Sequence, residues 1–141
     1  MYGPRKSRIV TSQPPNLTIN VKSEAETLTI ALSGEADLLG APKIEAALND
    51  ASIMDPGPSL IMIDLRNLTF IDSSGLHALL TGHERCRVRG QELRIIRGPE
   101  NVQRLFELTG MQETLPFADA AELDATDAIS PSGSQPEVGA A

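Results

Sequence analysis

Tryptophan is absent from this 141-residue chain, and there are only one tyrosine and three phenylalanines. Such a sequence lacks the aromatic platforms on which single-stranded bases stack. Cys86 is the sole cysteine, which excludes an internal disulfide and a thiolate metal cluster. Two histidines, His77 and His83, are too few for a histidine-based metal site. Positive charge is also short: 12 Lys and Arg stand against 19 Asp and Glu, for a formal net charge of −7. A binder of phosphate backbones needs a basic face, so no nucleic-acid partner is expected, and the cluster Arg5, Lys6 and Arg8 reads as a solvated tail. No stretch approaches the roughly 20 apolar residues of a membrane span. No apolar signal-peptide segment follows the N-terminal basic residues. The expectation is a soluble, cytoplasmic protein.

Catalytic signatures are missing as well. Ser73 and Ser74 lack the glycines of G-x-S-x-G. His83-Glu84 has no second histidine four residues on, and neither Gly34 nor Gly40 begins a phosphate-binding loop with a following Gly-Lys-Ser/Thr. Asp37, Asp64 and Asp72 lie at strand ends or loops, where carboxylates can converge on magnesium. Asp at such positions usually caps or turns instead. The chain therefore reads as a non-enzyme without cofactor or metal.

What is present is a single folded unit between two tails. Residues 1–15 carry basic residues and prolines with little apolar periodicity. Residues 125–141 are Ala, Ser, Pro, Gly and acidic residues, too polar to offset the entropy of ordering. The span 16–124 leaves roughly 100 residues for one core, enough to bury over 60% of the unfolded surface.

Within that span, Leu17–Val21 and Leu28–Leu32 alternate apolar and polar residues, predicting a hairpin around Glu24-Ala25-Glu26. Gly34-Glu35-Ala36-Asp37 breaks the pattern. Pro42 suits a first helical turn, and Ile44, Ala47, Leu48 and Ala51 follow at helical spacing until Asp55-Pro56-Gly57-Pro58 stops the helix. Leu60–Leu65 is apolar on both faces apart from Asp64, as in a central parallel strand. A second helix follows, with Leu76, Leu79, Leu80, His83 and Cys86 on one stripe, His83 being read as a packed core histidine. His77, Thr81, Glu84, Arg85 and Val88 fall on the other side, and Gly90 ends the helix. Leu93–Ile96 is a further strand. Pro99 and Glu100 open a third helix with Val102, Leu105, Phe106 and Thr109 as its stripe, closed by Gly110. Leu115-Pro116-Phe117 reads as a short edge strand, because proline there forbids a central position. Ala118–Asp124 reads as a short last helix. The order predicts an α/β domain: a mixed sheet with an antiparallel N-terminal hairpin, then parallel strands, and helices packed against it.

Between strand and second helix stands Phe70-Ile71-Asp72-Ser73-Ser74-Gly75-Leu76. Asp72, Ser73 and Ser74 are residues that satisfy free N–H groups at a helix start. They read either as a good cap or as a surface hydroxyl where a phosphate can be attached and tolerated.

Gly34-Glu35-Ala36-Asp37, Ile63-Asp64-Leu65, Phe70-Ile71-Asp72-Ser73-Ser74-Gly75-Leu76 and Arg104-Leu105-Phe106-Glu107-Leu108-Thr109-Gly110, in this order, closely resemble the STAS domain. More narrowly, they are similar to the bacterial anti-sigma factor antagonists, or anti-anti-sigma factors, over roughly Leu17 to Leu123. The resemblance implies a regulator of transcription and stress response that binds an anti-sigma factor and frees the sigma factor it holds. In many such systems the anti-sigma factor is also a serine kinase, which phosphorylates the first serine after the Asp, and a serine phosphatase reverses the mark. Carried over, the phosphorylation site is Ser73. The implied partner surface comprises Gly34, Glu35 and Asp37, the turn Asp72, Ser73 and Ser74, and His77, Thr81 and Arg85 on the outward helix face. Without the resemblance those last three are a solvated helix face. Two positions depart from the family pattern: Gly40 stands where a Thr commonly caps the first helix, and His77 replaces a small residue. The alternative implied by the same resemblance is a non-switching scaffold, stressosome-like, or a lipid-transport accessory subunit.

Overall fold

Alternation builds the first two strands. In the computed structural model, which describes residues 16–121, β1 (Leu17–Glu24) pairs antiparallel with β2 (Thr27–Ala36) in unbroken register, from Leu17 opposite Gly34 to Glu24 opposite Thr27. Ala25, at φ 56°, makes the tight connection. Leu28, Ile30 and Leu32 point into the core. The strand does not end where its pattern breaks. It runs on to Ala36, and the irregularity is absorbed as register shifts against the next strand and by Gly34 at φ 106°. A Cβ at Gly34 would overlap the Asn16 carbonyl oxygen, so the close approach of β1 requires glycine there.

Helix α1 (Ala41–Ser52) follows, with Pro42 in its first turn and Ile44, Leu48 and Ala51 buried. β3 (Leu60–Ile71) is twice the length its apolar run suggests. Past Leu65 it exposes Arg66 and Asn67 yet continues its parallel ladder with β2 as far as Ala36 opposite Ile71. Then come α2 (Ser73–Val88), β4 (Glu92–Ile96), α3 (Glu100–Leu108) and the edge strand β5 (Phe117–Ala118). The sheet order is β1-β2-β3-β4-β5, and every pair after the hairpin is parallel. Successive right-handed crossovers advancing in one direction put α1, α2 and α3 on one face. The main core lies between that face and the helices: Ile30, Ile61, Ile63, Leu65 and Ile95 from the sheet meet Ile44, Leu48, Leu79, Val102 and Phe106. A smaller cluster of Met62, Ile96 and Ala118, with Leu60 and Ala120 against it, occupies the other face. Asp64, buried like Met62, is held there by a bidentate pair with Arg66, both N···O distances being 3.0 Å.

Two helix faces differ from their predicted stripes. In α2 the buried residues are Gly75, Leu76, Ala78, Leu79, Gly82 and Cys86, while Leu80 and His83 are half-buried, so His83 is not a core histidine. The cause is α1: a Cβ at Gly82 would overlap Leu48 Cδ1, so α1 rests on the glycine and turns the buried face toward it. In α3, Gln103 is buried and Thr109 is exposed. Gln103 accepts from Gly98 N–H at 2.9 Å and donates to Gln112 at 3.2 Å, which satisfies it below the surface. Both glycine-terminated helices close as their sequences suggest. Gly90 and Gly110 have φ 75° and 77°, and Gln91 and Met111 N–H groups return to the Cys86 and Phe106 carbonyls. Ala118 closes β5, and a helical turn starts at Ala120. The remainder of the expected last helix and both tails lie outside the described residues.

Candidate functional site

At the C-terminal end of β3 the chain must leave the sheet and start a helix, and Asp72 performs the change. Its backbone is extended (φ −120°, ψ −172°), and its Oδ1 accepts the N–H groups of Ser74 at 2.8 Å and Gly75 at 3.2 Å. Its own N–H donates to the Ala36 carbonyl at 3.1 Å, lacing the turn to the end of β2. Gly75 completes the junction, since a Cβ there would overlap Ala36 O and stand 2.9 Å from Ala36 Cβ. With Asp72 serving the backbone, Ser73 is left exposed, and its hydroxyl bonds to no other described residue.

Asp37 repeats this arrangement at the end of β2. Its Oδ1 accepts from Leu39 N–H at 3.1 Å and Gly40 N–H at 2.9 Å, and its carbonyl accepts from Ala41 N–H at 2.8 Å. Gly40, formally at the helix boundary, supplies no side-chain cap. Asp37 instead holds the turn that leads into the helix, through the Leu39 and Gly40 N–H groups.

The two helix starts face each other across a depression of about 370 Å³ lined by Leu38, Ala41, Pro42, Glu45, Ser73, Ser74 and His77. Ser73, Ser74 and His77 are thus brought together. Thr81 and Arg85 line a second groove of about 520 Å³ along the outer side of α2, with His77, Leu80, Glu84, Val88 and Arg89. His77 borders both. On that helix face the Arg87 side chain, hydrogen-bonded to Glu84, holds the Glu84 carboxyl below its ordinary range. Gly34 and Glu35 lie within β2 and line neither hollow. Gly34 acts through its backbone, as described above, and its carbonyl accepts from Thr69 Oγ1 at 3.0 Å.

Sequence reasoning passed over the apolar shoulders of the site. Leu38, Leu39, Phe70 and Leu108 are 70%, 54%, 45% and 76% exposed. Phe70 and Leu108 share a hollow of about 310 Å³ with Ile71, Asn101, Arg104 and Leu105. The signal was available in Leu38-Leu39 directly after Asp37 and Phe70 directly before the turn, since large apolar residues next to turn residues have little core to enter. Asp37, Asp64 and Asp72 do not converge. Asp72 caps α2, Asp37 holds the turn before α1 and Asp64 pairs with Arg66, and among the described residues no group of three or more His, Cys, Asp or Glu is placed to hold a metal ion.

The family model described as "Mlab, STAS domain" matches residues 19–117, most of the chain. The chain belongs to the STAS family. This STAS domain is 29% identical over 101 residues to a protein of Listeria monocytogenes named anti-sigma-B factor antagonist, a match covering 71% of this chain and 87% of the relative. It is 25% identical over 109 residues to the Staphylococcus aureus protein of the same name, covering 77% and 99%. The crystal structure of an anti-sigma factor antagonist from Mycobacterium paratuberculosis superposes with a TM-score of 0.69 at 26% identity, covering 84% of this chain and 98% of that one. The mixed sheet with its antiparallel start and one-sided helices is the STAS architecture in these terms. No helix among the described residues is long and apolar enough to cross a membrane.

Proposed function

We propose that this STAS domain is an anti-sigma factor antagonist: it binds an anti-sigma factor through the Asp72–Ser74 turn and its surroundings, and phosphorylation of Ser73 ends the binding. The observation that carries the reading is the exposed Ser73 hydroxyl, left unengaged by the Asp72 cap, in a domain whose relatives are named anti-sigma-B factor antagonists. The partner surface combines Asp37, Asp72, Ser73, Ser74 and His77 with the apolar shoulders Leu38, Leu39 and Phe70. Glu35 on β2, and Thr81 and Arg85 along α2, extend it.

Charge is enough to work such a switch. A phosphate adds roughly −1.5 to −2 charge at pH 7. Docked against a partner it would be desolvated beside the Asp72 carboxylate, and like-charge juxtaposition in an interface costs several kcal/mol. About 2.7 kcal/mol already weakens binding a hundredfold. No rearrangement of the domain is required. The chain acts as a binding module; phosphoryl chemistry belongs to the anti-sigma kinase and to a serine phosphatase, and this domain needs no cofactor for it. The compartment is the cytoplasm, where sigma factors are held and released.

The second reading, a STAS scaffold or accessory subunit without a switch, has the family description on its side, since that names Mlab and not an antagonist. One experiment separates the two. The protein is incubated with a candidate anti-sigma kinase and ATP, phosphate is mapped by mass spectrometry, and binding is measured. Ser73→Ala should bind the partner and resist phosphorylation, and Ser73→Asp should bind at least about tenfold more weakly. Equal binding by Ser73→Asp and wild type would leave the scaffold reading in its place.

A further inference from the structure

We infer that His77 is the counter-charge for a phosphate on Ser73, holding it in the depression between the starts of α1 and α2. The inference rests on Ser73 being the modified residue. The N–H groups that would ordinarily receive an anion at the start of α2, those of Ser74 and Gly75, already bond to Asp72. A phosphate on Ser73 therefore meets two helix-start N–H groups already engaged and a neighbouring carboxylate, which leaves a role for a side-chain counter-charge.

Among the described residues that line the depression, only one can supply positive charge. Leu38, Ala41 and Pro42 are apolar, Glu45 is acidic, Ser73 and Ser74 are neutral, and His77 completes the wall. Lys43, on the same helix as Glu45, is turned away and donates to the Leu17 carbonyl at 2.8 Å. His77 stands four residues after Ser73, so the two side chains share one face of α2 with Cβ atoms about 5–6 Å apart. Helical side chains lean toward the helix N-terminus, which aims His77 at Ser73. Both are exposed, so the pair can form without unpacking anything. The charged groups that line these two hollows with His77 are Glu45 from α1, Glu84 and Arg85 from its own helix, and Arg89 at that helix's far end. A neighbouring anion favours the charged form of an imidazole. A phosphate dianion and a protonated His77 thus stabilise each other.

The test installs phosphoserine at position 73 by codon reassignment, so no kinase is needed, and follows its ³¹P resonance against pH. With His77 present, the second ionisation of the phosphate should be favoured about twofold to fivefold over that in His77→Gln, the range of an exposed ion pair. His77→Lys should restore the shift, which separates charge from shape. Identical ionisation midpoints in the wild type and His77→Gln proteins would overturn the inference. The same samples are tested for binding to the candidate anti-sigma factor. Loss of binding with identical midpoints would remove His77 from the mechanism and leave the Ser73 switch standing. Undiminished binding by the phosphoserine protein would instead overturn the switch, whatever the midpoints show.

Discussion

Asp72 holds the junction on which the proposed switch depends, and its worth can be measured without any partner. Its carboxylate satisfies two helix-start N–H groups, and loss of such a cap costs about 1 kcal/mol. Asp72→Ala should therefore lower the thermal midpoint by about 4–8 °C for a domain of this size. Asp72→Ser should recover most of that, because a hydroxyl also caps. Gly75 is less forgiving. Its neighbour is the Ala36 backbone, which cannot swing aside as a side-chain tip can. Gly75→Ala should destabilise by about 1–3 kcal/mol in a denaturant titration, the usual cost of overpacking. The cap was legible in the sequence because its residue types are specific to helix starts. The depression it borders was not, since Leu38, Pro42 and Glu45 reach Ser73 only through the crossover geometry.

At the scale of elements, the α1–α2 contact decides which side of α2 is buried. Leu48 of α1 occupies the space above Gly82, so a larger residue there must push the helices apart or bend Leu48 from its rotamer. Gly82→Val should destabilise by about 1–3 kcal/mol. Combining it with Leu48→Ala should cost less than the sum of the two changes, because the added methyls fill space the leucine vacates. A double-mutant cycle in urea reads this coupling directly. The same contact explains a limit of periodicity: Leu80 and His83 satisfy a helical stripe, yet Ala78 and Gly82 are buried in their stead. Stripes report the sheet-facing side, whereas a helix packed between sheet and neighbour buries its small residues too. Element order, the hairpin, the parallel strands and both glycine-terminated helix ends were readable from residue type alone. The far ends of β2 and β3 were not, because the parallel ladder resumes beyond a register shift, pairing Ser33 with Asn67 and Gly34 with Leu68 against their local preference.

On the scale of the whole domain, Cys86 reports whether α2 stays seated. It is fully buried on the core side of the helix that begins at Ser73. Burial pushes its thiol above the ordinary 9.0, opposed by the positive charge of Arg85. The fold therefore accommodates the neutral thiol, and the unfolded chain ionises first as the solution becomes alkaline. That contribution to stability is fully present below 9.0 and is lost as pH rises toward the raised folded-state value. Cys86→Ala removes it, so the stability advantage of wild type over this variant should shrink between about pH 8 and pH 10. At neutral pH a thiol reagent should label Cys86 only through opening of the domain, at a rate that rises with denaturant. This gives a test of how the switch works. If phosphate acts on the partner by charge alone, the phosphoserine-73 protein should label Cys86 at the same rate as the unmodified protein. Faster labelling would mean that the modification unseats α2, and that binding is lost through the fold and not through the surface.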